Sequence, residues 1–394
     1  MAETANRTLE IRNRKYLGSK ARLLPFIERI ILDTVIHKQD EKPPGLSADN
    51  TEKPIGHFVD LFAGTGVVGH HFRRYSRHVT ANDILFSNYV INHAYLASDP
   101  FETNPDTLKS IITECNTLTP QEGYAFYTYG GTYFTLQNAG KIDSVRNYIE
   151  ALYSGKTIST SEYYILLTSL LYAADKTANT IGQYDAFLKH LGTEPYSSDG
   201  THKVDAQVYI PLTLRIPDIE CGTGNTVYNR DANELARNIS CDVLYLDPPY
   251  NTRQYIDCYH VLENIMRWEK PEVFGKTCKF RRNHLKSSYS SRRKVTSAFA
   301  GLIESVDARH IFLSYNSEGI MDDKDIIEIL QKRGPTEIFK HDYSIFGNGA
   351  GQSKKRPITE RIFYCRPQDN RPQLPKRKSS TPQGVHERHE QKIQ

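Results

Sequence analysis

The sequence predicts an α/β fold: a doubly wound, mostly parallel sheet with a mainly helical insertion. Three observations predict it. The apolar run Phe58-Val59-Asp60-Leu61-Phe62 ends in the glycine turn Ala63-Gly64-Thr65-Gly66, followed by a helix-patterned segment and a second strand. A second apolar run, Val243-Leu244-Tyr245-Leu246, stops at Asp247-Pro248-Pro249-Tyr250. Between the two, strand-and-helix alternation lapses. The chain therefore divides into 11–98, an insertion over 99–222, a second half of the sheet domain over 223–365, and a tail over 366–394.

Taken in order, 21–37 has helical apolar spacing, with Pro25 tolerable near the helix start. Residues 38–56, rich in Pro, Gly and Asp, form a loop. A buried strand over His57–Phe62 feeds the glycine turn, a helix runs from about Val67 to Tyr75, and a strand over His78–Ala81 ends at Asn82-Asp83. The insertion holds an aromatic, glycine-containing segment (Tyr124–Phe134), a helix over Ser161–Lys176 and a polar stretch around 192–205. Alternation resumes near Thr226 and runs to Cys365. The tail is rich in Pro, Lys, Arg and Gln, nearly free of large apolar residues, and is expected to be disordered.

Composition sets limits. The chain has 394 residues, 38% hydrophobic and 11% aromatic, enough for a substantial core. A net charge of +4 does not identify a nucleic-acid partner, so local clusters must. Six cysteines without a CxxC pair argue against zinc and fit a reducing compartment. The polar amino terminus and the lack of a run of about 18 apolar residues predict no signal region and no membrane span. The expectation is a monomeric cytoplasmic protein.

The glycine turn is the first candidate site. Gly64 and Gly66 permit positive φ and close backbone approach. Asp83, at the end of the next strand, is placed to accept from both hydroxyls of a ribose. The same residues also suit a plain structural turn and a surface acid. Gly64-x-Gly66-x-x-Gly69 matches the dinucleotide pattern, but Asp60 would repel a pyrophosphate and attract an amino-bearing cation. S-adenosylmethionine carries a sulfonium and an α-ammonium and no phosphate. Its carboxylate needs a cation, and Tyr16-Leu17-Gly18-Ser19-Lys20, just ahead of the first helix, offers Lys20 and helix N–H groups.

The second site is Asp247-Pro248-Pro249-Tyr250. Neither proline can donate to a sheet ladder, so the strand ends in a rigid turn. The amino group of adenine or cytosine is a poor nucleophile, its lone pair being delocalised into the ring. Asp247 Oδ and the Pro248 carbonyl can accept from both amino hydrogens and favour a pyramidal nitrogen. Tyr250 can stack on an extruded base, worth about 1–3 kcal/mol.

Together these motifs resemble bacterial S-adenosylmethionine-dependent DNA adenine-N6 methyltransferases of the D12 class, α motif order, similar to the modification methylases of restriction systems. The likeness covers about 12–365. It implies a Rossmann-like methyltransferase fold: a mostly parallel seven-stranded sheet with an antiparallel closing strand, and the insertion as target-recognition domain. Tyr16 and Lys20 match the motif that touches the methionine carboxylate. Asp60, Phe62, Ala63, Gly64, Thr65 and Gly66 match the cofactor turn, and Asp83 the ribose acid. In Asn229-Arg230-Asp231-Ala232, Asp231 matches the acid at the cofactor adenine, with Ala232 beside it. Asp247, Pro248, Pro249 and Tyr250 match the catalytic motif. His310–Asn316 and Thr359–Tyr364 resemble the last core strands. No metal is implied.

Duplex DNA is the expected partner. Residues 276–294 hold eight cations and no acid: Lys276, Lys279, Arg281, Arg282, Lys286, Arg292, Arg293 and Lys294. They form either a phosphate-contacting surface or a solvated basic loop. Asn179 and Gln183, in Lys176–Tyr184, offer amides that can read adenine edges. The expected function is site-specific adenine-N6 methylation of DNA, paired with a restriction endonuclease. Adenine methylation of ribosomal RNA needs the same tetrapeptide, and an inactive DNA-binding module would keep the same fold. Cytosine-N4 enzymes more often carry Ser in place of Asp247.

Overall fold

The structure, a computed structural model, describes residues 9–14, 16–37, 53–188, 191, 206–345 and 356–368. Residues 38–52 of the expected loop over 38–56, the polar stretch over 192–205 and residues 369–394 of the expected tail over 366–394 lie outside the described residues, and a strand begins at Ile55, inside the expected loop. In chain order the elements are α1 (Leu24–His37), β1 (Ile55–Asp60), α2 (Val67–Phe72), β2 (Ser76–Asn82), α3 (Phe86–Leu96), α4 (Pro105–Thr117), α5 (Tyr124–Tyr129), α6 (Leu136–Ser154) and α7 (Thr160–Thr177). There follow β3 (Thr226–Tyr228), α8 (Ala232–Ala236), β4 (Ser240–Leu246), α9 (Tyr255–Arg267), α10 (Val295–Ser305), β5 (Asp307–Asn316), α11 (Asp323–Gln331), β6 (Thr336–Ile345) and β7 (Arg356–Cys365).

The strands form one seven-stranded sheet of order β3-β2-β1-β4-β5-β7-β6. β1 to β5 run parallel, and β7 lies antiparallel between β5 and β6. Both faces are covered, which is why the central strands are near-continuous apolar runs. Phe58, Val243, Tyr245 and Phe312 pack under α1 and α2, while Val59, Leu244, Leu246 and Leu313 pack under α8, α10 and α11. Chain order reverses between β1 and β4, and the cleft of an open α/β sheet sits at such a switch point. Asp60 and Tyr245 are register partners there, so the glycine turn and the Asp247 turn leave the sheet side by side.

The insertion is mostly helical, with local sequence reasons. Asn104 and Thr135 cap α4 and α6, and Ser159 with Glu162 forms a capping box at α7. Among the described residues its helices do not close on a core of their own. Ile165, Leu166 and Leu170 of α7 share one buried cluster with Val90 and Ile91 of α3 and Val261 and Leu262 of α9. The insertion is thus packed onto the helix that follows Asp83 and the helix that follows the Asp247 turn.

Candidate active site

The glycine turn forms as its residue types require. Gly64 and Gly66 have φ of +53° and +81°. A Cβ on Gly66 would lie 2.3 Å from Asn92 Oδ1, and one on Gly64 would lie 3.1 Å from the Tyr16 ring. Tyr16 is held over this turn by a stacked contact with Tyr259, centroids 4.7 Å apart, and by Asn88 Nδ2 donating to its hydroxyl at 2.9 Å.

Three acids surround the turn. Asp60 is buried, and its Oδ2 accepts from the Gly69 N–H at 3.0 Å, while Oδ1 is buried without a partner among the described residues. Burial pushes its carboxyl up to about 8, with the Gly69 N–H pulling down and the Asp247 and Asp83 charges pushing up. Asp83 accepts from Gly64 N at 2.9 Å through Oδ2 and from Leu85 N at 2.8 Å through Oδ1, with the Asn88 side chain as a further partner. Burial raises it to about 6. Asp231 caps α8, its Oδ1 accepting from Asn233 N and Glu234 N at 2.9 and 3.2 Å. These acids, with Phe62, Ala63, Thr65 and Ala232, line one cleft that also reaches Tyr16, Lys20, Asp247 and Pro249.

Lys20 differs from expectation. The sequence places its charge at a helix start, ready for a ligand carboxylate, but α1 begins only at Leu24. The Lys20 ammonium instead lies 2.7 Å from Asp247 Oδ1 and 3.8 Å from Glu360 Oε1. Burial opposes its charge, yet the two carboxylates outweigh that and hold its pKa well above the ordinary lysine value. Burial in turn raises Asp247 to about 6, with Lys20 pulling it down and Glu360 pushing it up. Asp247 is therefore an anion at neutral pH, an acceptor rather than a proton donor. Pro248 is buried, and the Tyr250 ring sits with its centroid 5.7 Å from Lys20 Nζ.

The basic segment is divided by the fold. Lys276, Arg281, Lys286, Arg292, Arg293 and Lys294 are exposed and Lys279 is half-buried. Arg282 is corrected: it is buried, paired through Nε and Nη2 with Asp257, and donates through Nη1 to the Phe280 carbonyl at 2.8 Å. It holds the segment to α9 and is not free for a phosphate. Asn179 is also corrected. It is fully buried, and its Nδ2 donates to the Thr132 and Leu188 carbonyls at 2.8 Å, closing the loop that follows α7 rather than reading a base. Gln183 stays half-exposed on that loop, which Asp185 ties to Arg253, three residues beyond Tyr250.

Sequence reasoning missed part of the cleft wall. Gln254 exchanges two hydrogen bonds with Ser287, Oε1 accepting at 2.8 Å and Nε2 donating at 3.0 Å. This clamps the basic segment beside the Asp247 turn. Tyr289, one of the aromatics interleaved in that segment, lines the cleft edge-on to Phe62, centroids 4.8 Å apart, and its hydroxyl donates to Asn233 Oδ1 at 2.8 Å. Its position among cations points to DNA; the fold uses it on the other side.

The sheet with its antiparallel seventh strand, the acid-lined glycine turn and the Asp-Pro-Pro-Tyr turn at the switch point define a Rossmann-like methyltransferase. The sequence model of the D12 class N6 adenine-specific DNA methyltransferases matches residues 16–329, and the chain belongs to that family. It is 36% identical over 358 residues to type II methyltransferase M.NlaIII of Neisseria lactamica, covering 89% of this chain and 97% of that protein. It is also 33% identical to modification methylase StsI of Streptococcus sanguinis and 32% to type II methyltransferase M.FokI of Planomicrobium okeanokoites, each over 367 residues and 89% of this chain. It spans only 51% and 52% of the length of those two.

Proposed function

We propose that this protein transfers a methyl group from S-adenosylmethionine to N6 of a specific adenine in duplex DNA, as the modification partner of a restriction endonuclease. The observation that supports it most is the side-by-side emergence of the Asp60 turn and the Asp247 turn from β1 and β4 into one cleft. The relatives' names as type II methyltransferases and modification methylases support the cellular role.

The residues fit the cofactor. The Oδ1 of Asp60, without a partner among the described residues, suits an ammonium, the Asp83 carboxylate in the cleft wall suits ribose hydroxyls, and Phe62, Ala232 and Tyr289 with the second oxygen of Asp231 suit an adenine. When bound, the cofactor supplies an electrophilic methyl on a sulfonium. Asp247 and the Pro248 carbonyl would accept from the two N6 hydrogens and direct the nitrogen lone pair at that methyl. Tyr250 would stack on the base, offsetting an unstacking cost of a few kcal/mol. Exposed cations of 276–294 would hold the phosphates.

Labelled S-adenosylmethionine offered with duplex DNA and, separately, with ribosomal RNA tests the reading. Label is expected at N6 of adenine in DNA at one sequence context; label only in RNA, or none, overturns it. The DNA surface has its own check. Arg292, Arg293 and Lys294 replaced together by Ala should flatten the plot of log affinity against log salt by about 0.9 for each phosphate no longer neutralised. Arg282→Ala should leave that slope unchanged and instead lower stability by about 2 kcal/mol, the range for hydrogen bonds to charged groups, read in a denaturant melt.

A further inference from the structure

Glu360 lies in the closing strand β7, more than a hundred residues beyond Asp247, and is 1% exposed. A carboxylate that deeply buried needs partners. It has two: the Ser314 hydroxyl of β5 donates to Oε1 at 2.6 Å, and the same oxygen lies 3.8 Å from Lys20 Nζ. Its backbone is fixed on both sides, paired with Asn316 of β5 and His341 of β6. Lys20 thus stands between two carboxylates, one on the Asp247 turn and one anchored in the sheet.

A buried Lys20–Asp247 pair on its own would be close to neutral, and an ammonium held wholly by Asp247 would weaken that carboxylate as an acceptor. A second carboxylate on the same ammonium withdraws part of its charge. Resting on the methyl-transfer reading above, we propose that Glu360 is a positioning residue for the reaction: it anchors the Lys20 ammonium and shares its charge, so that Asp247 remains a strong, oriented acceptor for the target amino group. The other titratable groups that act on Asp247 or Lys20 are Tyr245 of β4, Tyr250, Tyr255 of α9 and Asp60 of β1. The tyrosines are all pushed above their ordinary value by burial and stay neutral through the acid range. That leaves Glu360 as the anion in direct reach of Lys20 besides Asp247, among the described residues.

The test is the pH profile of kcat at saturating cofactor and duplex DNA, for wild type, Glu360→Gln and Glu360→Asp. Gln keeps the size and an oxygen for Ser314 but removes the charge. In E360Q, Lys20 pairs fully with Asp247, so the acid limb should move to lower pH by about one unit. The plateau should fall on the order of tenfold, with binding of a non-reactive cofactor analogue near wild type. E360D should restore the limb. A limb that stays in place in E360Q overturns the proposal. Should E360Q fail to fold in a thermal melt, Ser314→Ala, which unmoors Glu360 without deleting it, is expected to move the limb the same way by less, and an unmoved limb there overturns it equally. A wild-type protein that methylates no adenine sinks the functional reading; an active wild type with an unmoved limb sinks only the role of Glu360.

Discussion

Asp247→Asn is expected to lower kcat for adenine methylation by about 100- to 1000-fold, the range for losing one preorganised polar group at a reacting centre. Cofactor affinity should stay close to wild type. The fold should survive, because Lys20 keeps Glu360 as a counter-charge and the turn is set by Pro248 and Pro249 rather than by the carboxylate. An amide in this position offers one neutral acceptor and a competing donor, so it cannot orient the N6 hydrogens as a carboxylate can. Single-turnover rates with calorimetric cofactor binding separate the two readouts. Full methylation by a variant that still binds cofactor would remove Asp247 from the mechanism. The same carboxylate sets a pH expectation. With its pKa raised to about 6, wild-type kcat should fall as pH drops through that value, because protonated Asp247 has lost acceptor strength.

What the sequence revealed about this site follows from distance along the chain. Asp60, Gly64 and Gly66 are close neighbours, and Asp247 and Tyr250 are three residues apart, so each group declares its chemistry through local spacing. The sheet was legible for the same reason: apolar runs punctuated by glycine or proline. Glu360 and Gln254 carry no such signal. Glu360 is one acid in the strand Thr359–Tyr364, and only the antiparallel return of β7 beside β5 brings it to Lys20. Asn179 and Arg282 show the opposite failure. An amide or a guanidinium advertises a ligand in a sequence whether it faces solvent or the protein interior, and in both cases the side chain closes a loop by bonding backbone or Asp257. The same ambiguity concealed Tyr289, whose cationic neighbours point outward while its ring faces the cleft.

The insertion gives the site its integration. Its helices share a core with α3, which starts directly after Asp83, and with α9, which starts directly after the Asp247 turn. At the start of α3, Glu263 of α9 accepts from the Phe86 and Ser87 N–H groups at 2.8 Å each. The element that follows Asp83 is therefore bonded to the element that follows the Asp247 turn. A disturbance of the insertion should reach both halves of the cleft, because its described helices share one core with α3 and α9.

Asp60→Asn is expected to weaken cofactor binding and stabilise the free protein, effects of opposite sign from one atom. The loss in affinity should be about 10- to 100-fold, since a hydrogen bond to a charged partner contributes about 1.5–3 kcal/mol. The gain in stability depends on pH. Asp60 is raised from an ordinary 3.8 to about 8 by burial, so between those values the unfolded chain has released a proton that the folded chain retains. The unfolded state then binds fewer protons, and stability falls as pH rises. The group's favourable contribution is complete below about pH 4 and is lost as pH climbs through about 8. Asn does not titrate and still offers an oxygen to the Gly69 N–H. The variant's melting temperature should match wild type near pH 4 and exceed it at pH 8, with cofactor analogue narrowing the gap by stabilising wild type more. A difference in melting temperature between the two proteins that does not change with pH would show that Asp60 ionises freely in the fold and would overturn the stability half of this prediction; unchanged affinity for the cofactor analogue in Asp60→Asn would remove Asp60 as the anchor of the cofactor's ammonium.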